Sequence, residues 1–146
     1  ALSYDNDIWI FDEYDNKLKK INEEGEILFE SADFRMLFNR PILPQQIIDN
    51  DGLLYLYDFN NGLFVFDHYG TFKRKFPITK WKNISISDEL VTGFFNNALH
   101  FYNTSTLRES QRKFPSSFGS FTNYIIANTK LFALSKDSLN IYTYKF

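Results

Sequence analysis

Hydrophobic and polar residues alternate along this chain in short runs, and the runs come in pairs. DIWIFDEYDNKLKKIN (residues 7–22), LLYLYDFNNGLFVFD (53–67), LVTGFFNNALHFYN (90–103) and LFALSKDSLNIYTY (131–144) each hold two such runs around a polar centre. Alternation with a period of two predicts strands, because successive strand side chains point to opposite faces. The centres Asn60-Asn61-Gly62, Asn96-Asn97 and Lys136-Asp137 interrupt any helix and mark tight hairpin turns. The hairpins start at Ile8, Leu53, Leu90 and Leu131, spaced 45, 37 and 41 residues apart.

Each hairpin is flanked by two more strand-like segments. A short apolar one precedes it, at 1–4, 46–49, 83–87 and 124–127. A more polar one follows the first three, at 26–31, 71–77 and 107–114. A period near 40 built from strands alone predicts an all-β fold, a β-propeller with four strands to a blade. The outer segment FKRKF (72–76) alternates apolar with charged, as a strand with one wet face does. About four blades are predicted, near residues 1–31, 45–77, 83–114 and 123–146, the last lacking its outer strand. The chain is then expected to be the C-terminal part of a larger propeller, six-bladed or similar. A four-bladed ring with one three-stranded blade is the rival arrangement.

Composition sharpens this picture. Of 146 residues, 44% are hydrophobic, with 17 Phe, 9 Tyr and 2 Trp, which excludes a disordered chain. No apolar run reaches the roughly 18–20 residues of a membrane-spanning helix, so no transmembrane segment is predicted. With no cysteine, a disulfide scaffold, a Cys-ligated zinc and a thiol nucleophile all drop out. A net charge of −2 removes the usual electrostatic basis for nucleic-acid binding.

The second repeat carries the clearest family likeness. In DNDGLLYLYDFNNGLFVFDHYGTF (49–72), the positions Asp49, Gly52, Tyr55, Asp58, Val65, Phe66, Asp67, Gly70 and Phe72 follow the pattern of the NHL repeat, which the segment resembles. The first repeat fits in part, through IWIFD and NEEGE; the third and fourth keep only the alternation. The resemblance implies a propeller used as a binding platform, in a family with protein binders, RNA binders and a few enzymes. The chain is also similar in style to Bacteroidota cell-envelope propellers, rich in Asn, Tyr, Phe and Lys. That likeness implies export to the periplasm or association with the outer membrane.

Candidate chemistry is sparse. Asp12, Asp58 and Asp67 end strands, where Asp is expected to accept hydrogen bonds from turn N–H groups. His68 and His100 lie in no metal-ligand spacing, and no G-x-S-x-G, P-loop or Rossmann glycine pattern occurs. No catalytic residue, metal or cofactor is therefore assigned. The connections between repeats are more distinctive. The segments 32–44, 78–82 and 116–122 carry Phe34, Arg35, Met36, Phe38, Arg40, Lys80, Trp81, Lys82, Phe118 and Phe121. Aromatics with Arg and Lys, read as lacking acidic neighbours, resemble the composition of interface cores. These residues are expected to form a partner-binding face, the alternative being that the rings wedge between blades. Asp137-Ser138-Leu139 resembles a Bacteroidota O-glycosylation acceptor, with Ser138 as the modified residue. The function expected is thus a non-enzymatic protein-binding or scaffolding propeller of a bacterial envelope assembly. An enzyme or small-ligand binder using innermost-strand groups such as Gln46, Asp49, Ser85 and Ser87 is the alternative, and NHL-like RNA binding a further one.

Overall fold

The computed structural model describes residues 1–114, 121–127 and 130–143. Its strands form four antiparallel sheets, each a meander of consecutive strands. The first holds β1 (Ile8–Asp12), β2 (Lys17–Ile21) and β3 (Ile27–Glu30), followed by a short helix α1 (Phe34–Phe38). The second is β4 (Gln46–Asn50), β5 (Leu53–Asp58), β6 (Gly62–Asp67) and β7 (Phe72–Phe76). The third is β8 (Lys82–Ser87), β9 (Leu90–Phe95), β10 (Ala98–Asn103) and β11 (Arg108–Lys113). The fourth is β12 (Asn123–Ala127), β13 (Lys130–Leu134) and β14 (Leu139–Thr143). Every hairpin and outer strand expected from the alternation is present.

Two local expectations need correcting. The strand foreseen at 1–4 is reduced to an isolated bridge between Leu2 and Ile8, closed by Ser3 N donating to Asp7 O at 2.8 Å. Tyr4, Asp5 and Asn6 are already turning, so too few residues remain in line to propagate a ladder. The connection at 32–44, read from the sequence as a loop, contains α1.

The turns form because their residues tolerate left-handed backbone. Asn96 and Asn97 both have positive φ, 49° and 58°, as do Asp51 and Gly52, 49° and 74°, which suits a two-residue hairpin loop. Gly62 sits at φ 110°, and a Cβ there would lie 2.6 Å from Phe76 O, so glycine is required on both counts. The strand-ending carboxylates do what was expected of them. Asp12 Oδ1 accepts from Tyr14 N and Asp15 N, Asp58 Oδ1 from Asn60 N and Asn61 N, and Asp67 Oδ1 from Tyr69 N and Thr71 N.

The chain divides into two compact units, Ala1–Lys80 and Trp81–Phe146. In the first, the facing sides of its two sheets and α1 close on Trp9, Leu18, Phe34, Ile42, Leu54, Leu56, Phe64 and Phe66, all fully buried. Strands β5 and β6 are buried on both faces, since Tyr55, Tyr57, Leu63 and Val65 point away from this cluster and are buried too. That explains their near-continuous apolar sequence. In the second unit, Leu99 and Phe101 of the third sheet pack with Tyr124, Ile126, Leu131 and Ala133 of the fourth.

Candidate functional site

The segment leading into α1 is held down by a buried asparagine. Asn16, in the β1–β2 turn, donates through Nδ2 to Ile42 O at 3.0 Å and accepts from Ile42 N at 3.3 Å, while its own carbonyl takes Phe34 N at 2.9 Å. Asp33 caps α1 by accepting from Arg35 N at 2.8 Å, and Asn39 ends it in the left-handed region, at φ 55°. Phe34 and Phe38, one turn apart, then fall on the same side. Phe34 stacks on Phe66 at 5.0 Å between ring centres, and Phe38 meets Phe64 and Phe72 at 4.8 and 5.0 Å. Arg35, Met36 and Leu37 are left outside, Met36 being 81% exposed. Leu43 and Arg40 are exposed close by in sequence.

This anatomy corrects the face expected from composition. Phe34 is core, and so is Trp81, whose ring lies where a side chain on Gly93 would be: a Cβ there would come within 2.9 Å of Trp81 Cε3. Phe38 is half-buried on the first core, and Phe121 is half-buried against Phe114 and Tyr142, at 6.2 and 6.4 Å. Large apolar rings beside a sheet gain more by filling it than by facing water. Phe118 lies outside the described residues. Arg35 does have an acidic neighbour: its Nε and Nη2 grip the Asp33 carboxylate at 2.7–3.0 Å, and Nη2 also donates to Asp15 O at 3.1 Å. The Arg35 guanidinium beside it holds the Asp33 carboxyl below the usual carboxylate range. What stays outside is Arg35, Met36, Arg40 and Lys80 on the first unit and Lys82 on the second.

A second cluster escaped the sequence reading. His68, just after β6, directs Nε2 to Asp49 Oδ1 of β4 at 3.2 Å, a pair 19 residues apart in sequence. Tyr4 stacks on the imidazole, ring centres 4.9 Å apart and planes 10° from parallel, and Trp9 approaches it at 6.3 Å. Asp49 Oδ2 and Trp9 Nε1 are buried without a hydrogen-bond partner, one an acceptor and the other a donor. The strand pattern had put Asp49 among innermost-strand candidates, but only the fold brings His68 to it. Neighbouring Lys20 lies over the Tyr4 and Trp9 rings and forms ion pairs with Asp5 and Asp7. Asp5 and Asp7 line a depression of about 360 Å³ with Asn6, Asn22, Glu23 and Glu24.

Other innermost-strand groups are paired locally. Ser85 Oγ lies 2.7 Å from Thr92 Oγ1, and Ser87 Oγ is 3.5 Å from Asp88. His100 is buried between two acceptors, Glu109 Oε1 at 2.8 Å and Phe95 O at 3.2 Å, beneath Trp81. Such a ring braces β9, β10 and β11 and is not open to a ligand. Ser138 is exposed in the β13–β14 turn, its Oγ 2.7 Å from Ser135 Oγ. Among the described residues, no three His, Cys, Asp or Glu side chains are grouped to hold a metal ion. No helix among them is long and apolar enough to cross a membrane.

No known protein family matches the chain, and neither does any curated protein. Solved structures do. The computationally designed Ika4 protein superimposes with a TM-score of 0.63 at 11% identity, over 98% of this chain and 89% of that one. The extracellular domain of a protein described as a one-component system from Bacteroides thetaiotaomicron also gives 0.63, at 16% identity. There the match covers 99% of this chain but only 20% of the larger one, so the chain spans about a fifth of that protein's length. The designed Ika8 protein gives 0.58 at 10% identity, over 89% of this chain and 41% of that one. At these identities the likeness is one of fold alone: an all-β chain of four small antiparallel sheets.

Proposed function

We propose that the four sheets are blades of a β-propeller, and that this chain is a non-enzymatic protein-binding module of an exported cell-envelope protein. The observation that carries the reading is the surface of α1. Phe34, Phe38 and the Asn16–Ile42 clamp fix the segment rigidly, yet Met36 and Leu37 are turned outward beside Arg35. Exposed apolar side chains on a pre-ordered support, rimmed by Arg, are how protein interfaces obtain affinity at low entropic cost. The fold likeness to a Bacteroides extracellular domain supports a periplasmic or outer-membrane-associated setting. Exposed Ser138 is accessible for O-glycosylation there.

The test is photo-crosslinking in the native cell, with the reactive residue placed at Met36 or, as a control, at Tyr69, which is equally exposed at the β6–β7 turn. A discrete protein adduct from position 36, absent from position 69 and abolished by Arg40→Glu, is the expected result. Identical or absent adducts at both positions refute the reading. A second reading, capture of a small polar ligand, rests on the unpartnered Asp49 Oδ2 and Trp9 Nε1 beside His68. A screen of sugars and amides by thermal shift, with Asp49→Ala as the control, tests it: no ligand that stabilises only the parent removes it.

A further inference from the structure

In the first compact unit, Lys17, Lys19, Lys20, Arg35 and Lys73 are each held by a carboxylate. Arg40, Arg74, Lys75 and Lys80 have no such partner among the described residues. Arg40, Lys75 and Lys80 belong to one end of the second sheet. A meander reverses at each turn, so the β5–β6 turn shares an end with the connections that enter β4 and leave β7. Lys80 N donates to Phe59 O in that turn at 2.8 Å, and Leu43 N donates to Asp58 Oδ2 at 2.9 Å. Within residues 40–46, 57–63 and 75–80, Asp58 is the only acid. Its carboxylate is buried and occupied by four donors.

Phe64 brings two of these cations together. Lys75 faces Phe64 across the β6–β7 ladder, and its Nζ lies 5.0 Å from the centre of that ring. Phe38 packs on Phe64 as well, at 4.8 Å. Arg40 follows Phe38 by two residues, past the left-handed turn at Asn39, so both cations emerge beside the end of α1. Burial first, and then the Arg40 guanidinium, hold the Lys75 ammonium below its usual value, with Asp58 opposing them. Cations set side by side repel each other, and an anion placed between them relieves that repulsion. Arg74 points to the other face of β7, where it lies over Phe76. Exposed Met36, Leu37 and Leu43 supply apolar surface on the segment that carries Arg40.

We infer that Arg40 and Lys75 together bind a carboxylate, and that the partner of this surface presents an Asp or Glu beside an apolar side chain. The inference rests on the protein-binding reading of α1 and names the chemistry of the partner. The Arg40 guanidinium offers a fork of N–H groups to the carboxylate, and Lys75 adds a point charge. The partner's apolar side chain covers Met36, Leu37 and Leu43. Arg35 takes no part, because Asp33 already neutralises it. Charge complementarity singles out an acidic segment. The apolar neighbours single out a protein, since a free phosphate or a sulfated sugar would leave them in water.

A carbodiimide joins an amine to a carboxylate with no spacer, and it tests this on the full-length protein in its native cells, beside photo-crosslinking from position 36. The expected product is an amide from Lys75 to an Asp or Glu of the same protein that position 36 captures. Arg40→Gln and Lys75→Gln should each lower the yield of the position-36 adduct roughly threefold or more. Arg74→Gln removes the same charge from the other face of β7 and should leave the yield unchanged. Lys75→Arg should keep the adduct and lose the amide. If position 36 captures no protein, the protein-binding reading falls and takes this inference with it. An adduct that forms without the Lys75 amide, ignores both neutralised variants, or falls equally with Arg74→Gln leaves that reading standing and overturns the inference. So does an amide from Lys75 to an acid of its own chain or of a second copy.

Discussion

Asp58 offers a sharp test of how the β5–β6 corner is held. Its carboxylate is buried, with the residue only 1% exposed, and it accepts four hydrogen bonds. Oδ1 takes Asn60 N and Asn61 N, both at 2.9 Å; Oδ2 takes Leu43 N at 2.9 Å and Asn61 Nδ2 at 2.8 Å. Burial pushes its pKa up, but the donors from Leu43, Asn61 and Asn60 together outweigh that and hold it below the usual carboxylate value. In Asp58→Asn, the remaining oxygen can still take the two turn N–H groups, while the new amide points a donor at Leu43 N–H. The two hydrogen bonds to the charged Oδ2, from Leu43 N and Asn61 Nδ2, are lost, and the Leu43 N–H is left a part-buried donor without a partner, each effect costing about 1–3 kcal/mol. Because the two effects overlap, the net expectation is about 2–4 kcal/mol of destabilisation at pH 7. Urea unfolding of both proteins, followed by circular dichroism, should show the midpoint fall with little change in slope. The pH dependence has a definite sign. A depressed carboxyl pKa contributes stability above its unfolded value, about 4, and that contribution vanishes as pH falls through the folded value. The gap between parent and variant should therefore narrow on acidification below pH 4. A variant within about 0.5 kcal/mol of the parent at neutral pH, or a gap unchanged in acid, would refute this account of the corner.

Three further expectations follow from the same geometry. Phe34→Ala empties the centre of the first core and should cost about 3–5 kcal/mol, read as a lowered urea midpoint, whereas Met36→Ala on the same helix should be nearly neutral. Gly62→Ala meets both a positive φ and the Phe76 carbonyl, so its melting temperature should fall while Gly25→Ala, with open space around it, loses less. Burial pushes the Tyr124 phenol up, and its hydroxyl donates to Lys82 O at 3.3 Å. Its stabilising contribution is present below the unfolded phenol value near pH 10 and is lost as pH rises toward the folded one. Tyr124→Phe should thus flatten the alkaline loss of stability of the second unit, and an unchanged alkaline profile would remove Tyr124 as its cause.

The strands were legible because they depend on near neighbours: alternation within a run, and Asn, Asp or Gly where the chain must reverse. Even the role of the third-strand corner survives sequence drift. Asn22, Asp67 and Asn103 close the turns after β2, β6 and β10 through the same side-chain oxygen, although the third repeat has asparagine where the second has aspartate. α1 was hidden by its brevity, yet its signals are there: Asp33 as cap, Phe34 and Phe38 four apart, and Asn39 to stop it. The direction of Phe34 and Trp81 was not legible. Trp81 is buried because Gly93, on another strand, lacks a side chain, a fact that exists only once the register is set. The same holds for His68, which meets Asp49 across the second sheet.

The two cores described above are not equally dry. The residues at the heart of the first are at most about one-hundredth exposed, while Tyr124 and Ile126 in the second retain nearly a tenth of their surface. Apolar area still in contact with water contributes nothing to holding the sheets together. A chain built this way has a sacrificial end: the fourth sheet should be the first to open, and to be cut by a protease, while β5 and β6 persist. Damage would then begin at β12–β14 and spare the segment from Trp9 to Phe76 that carries α1.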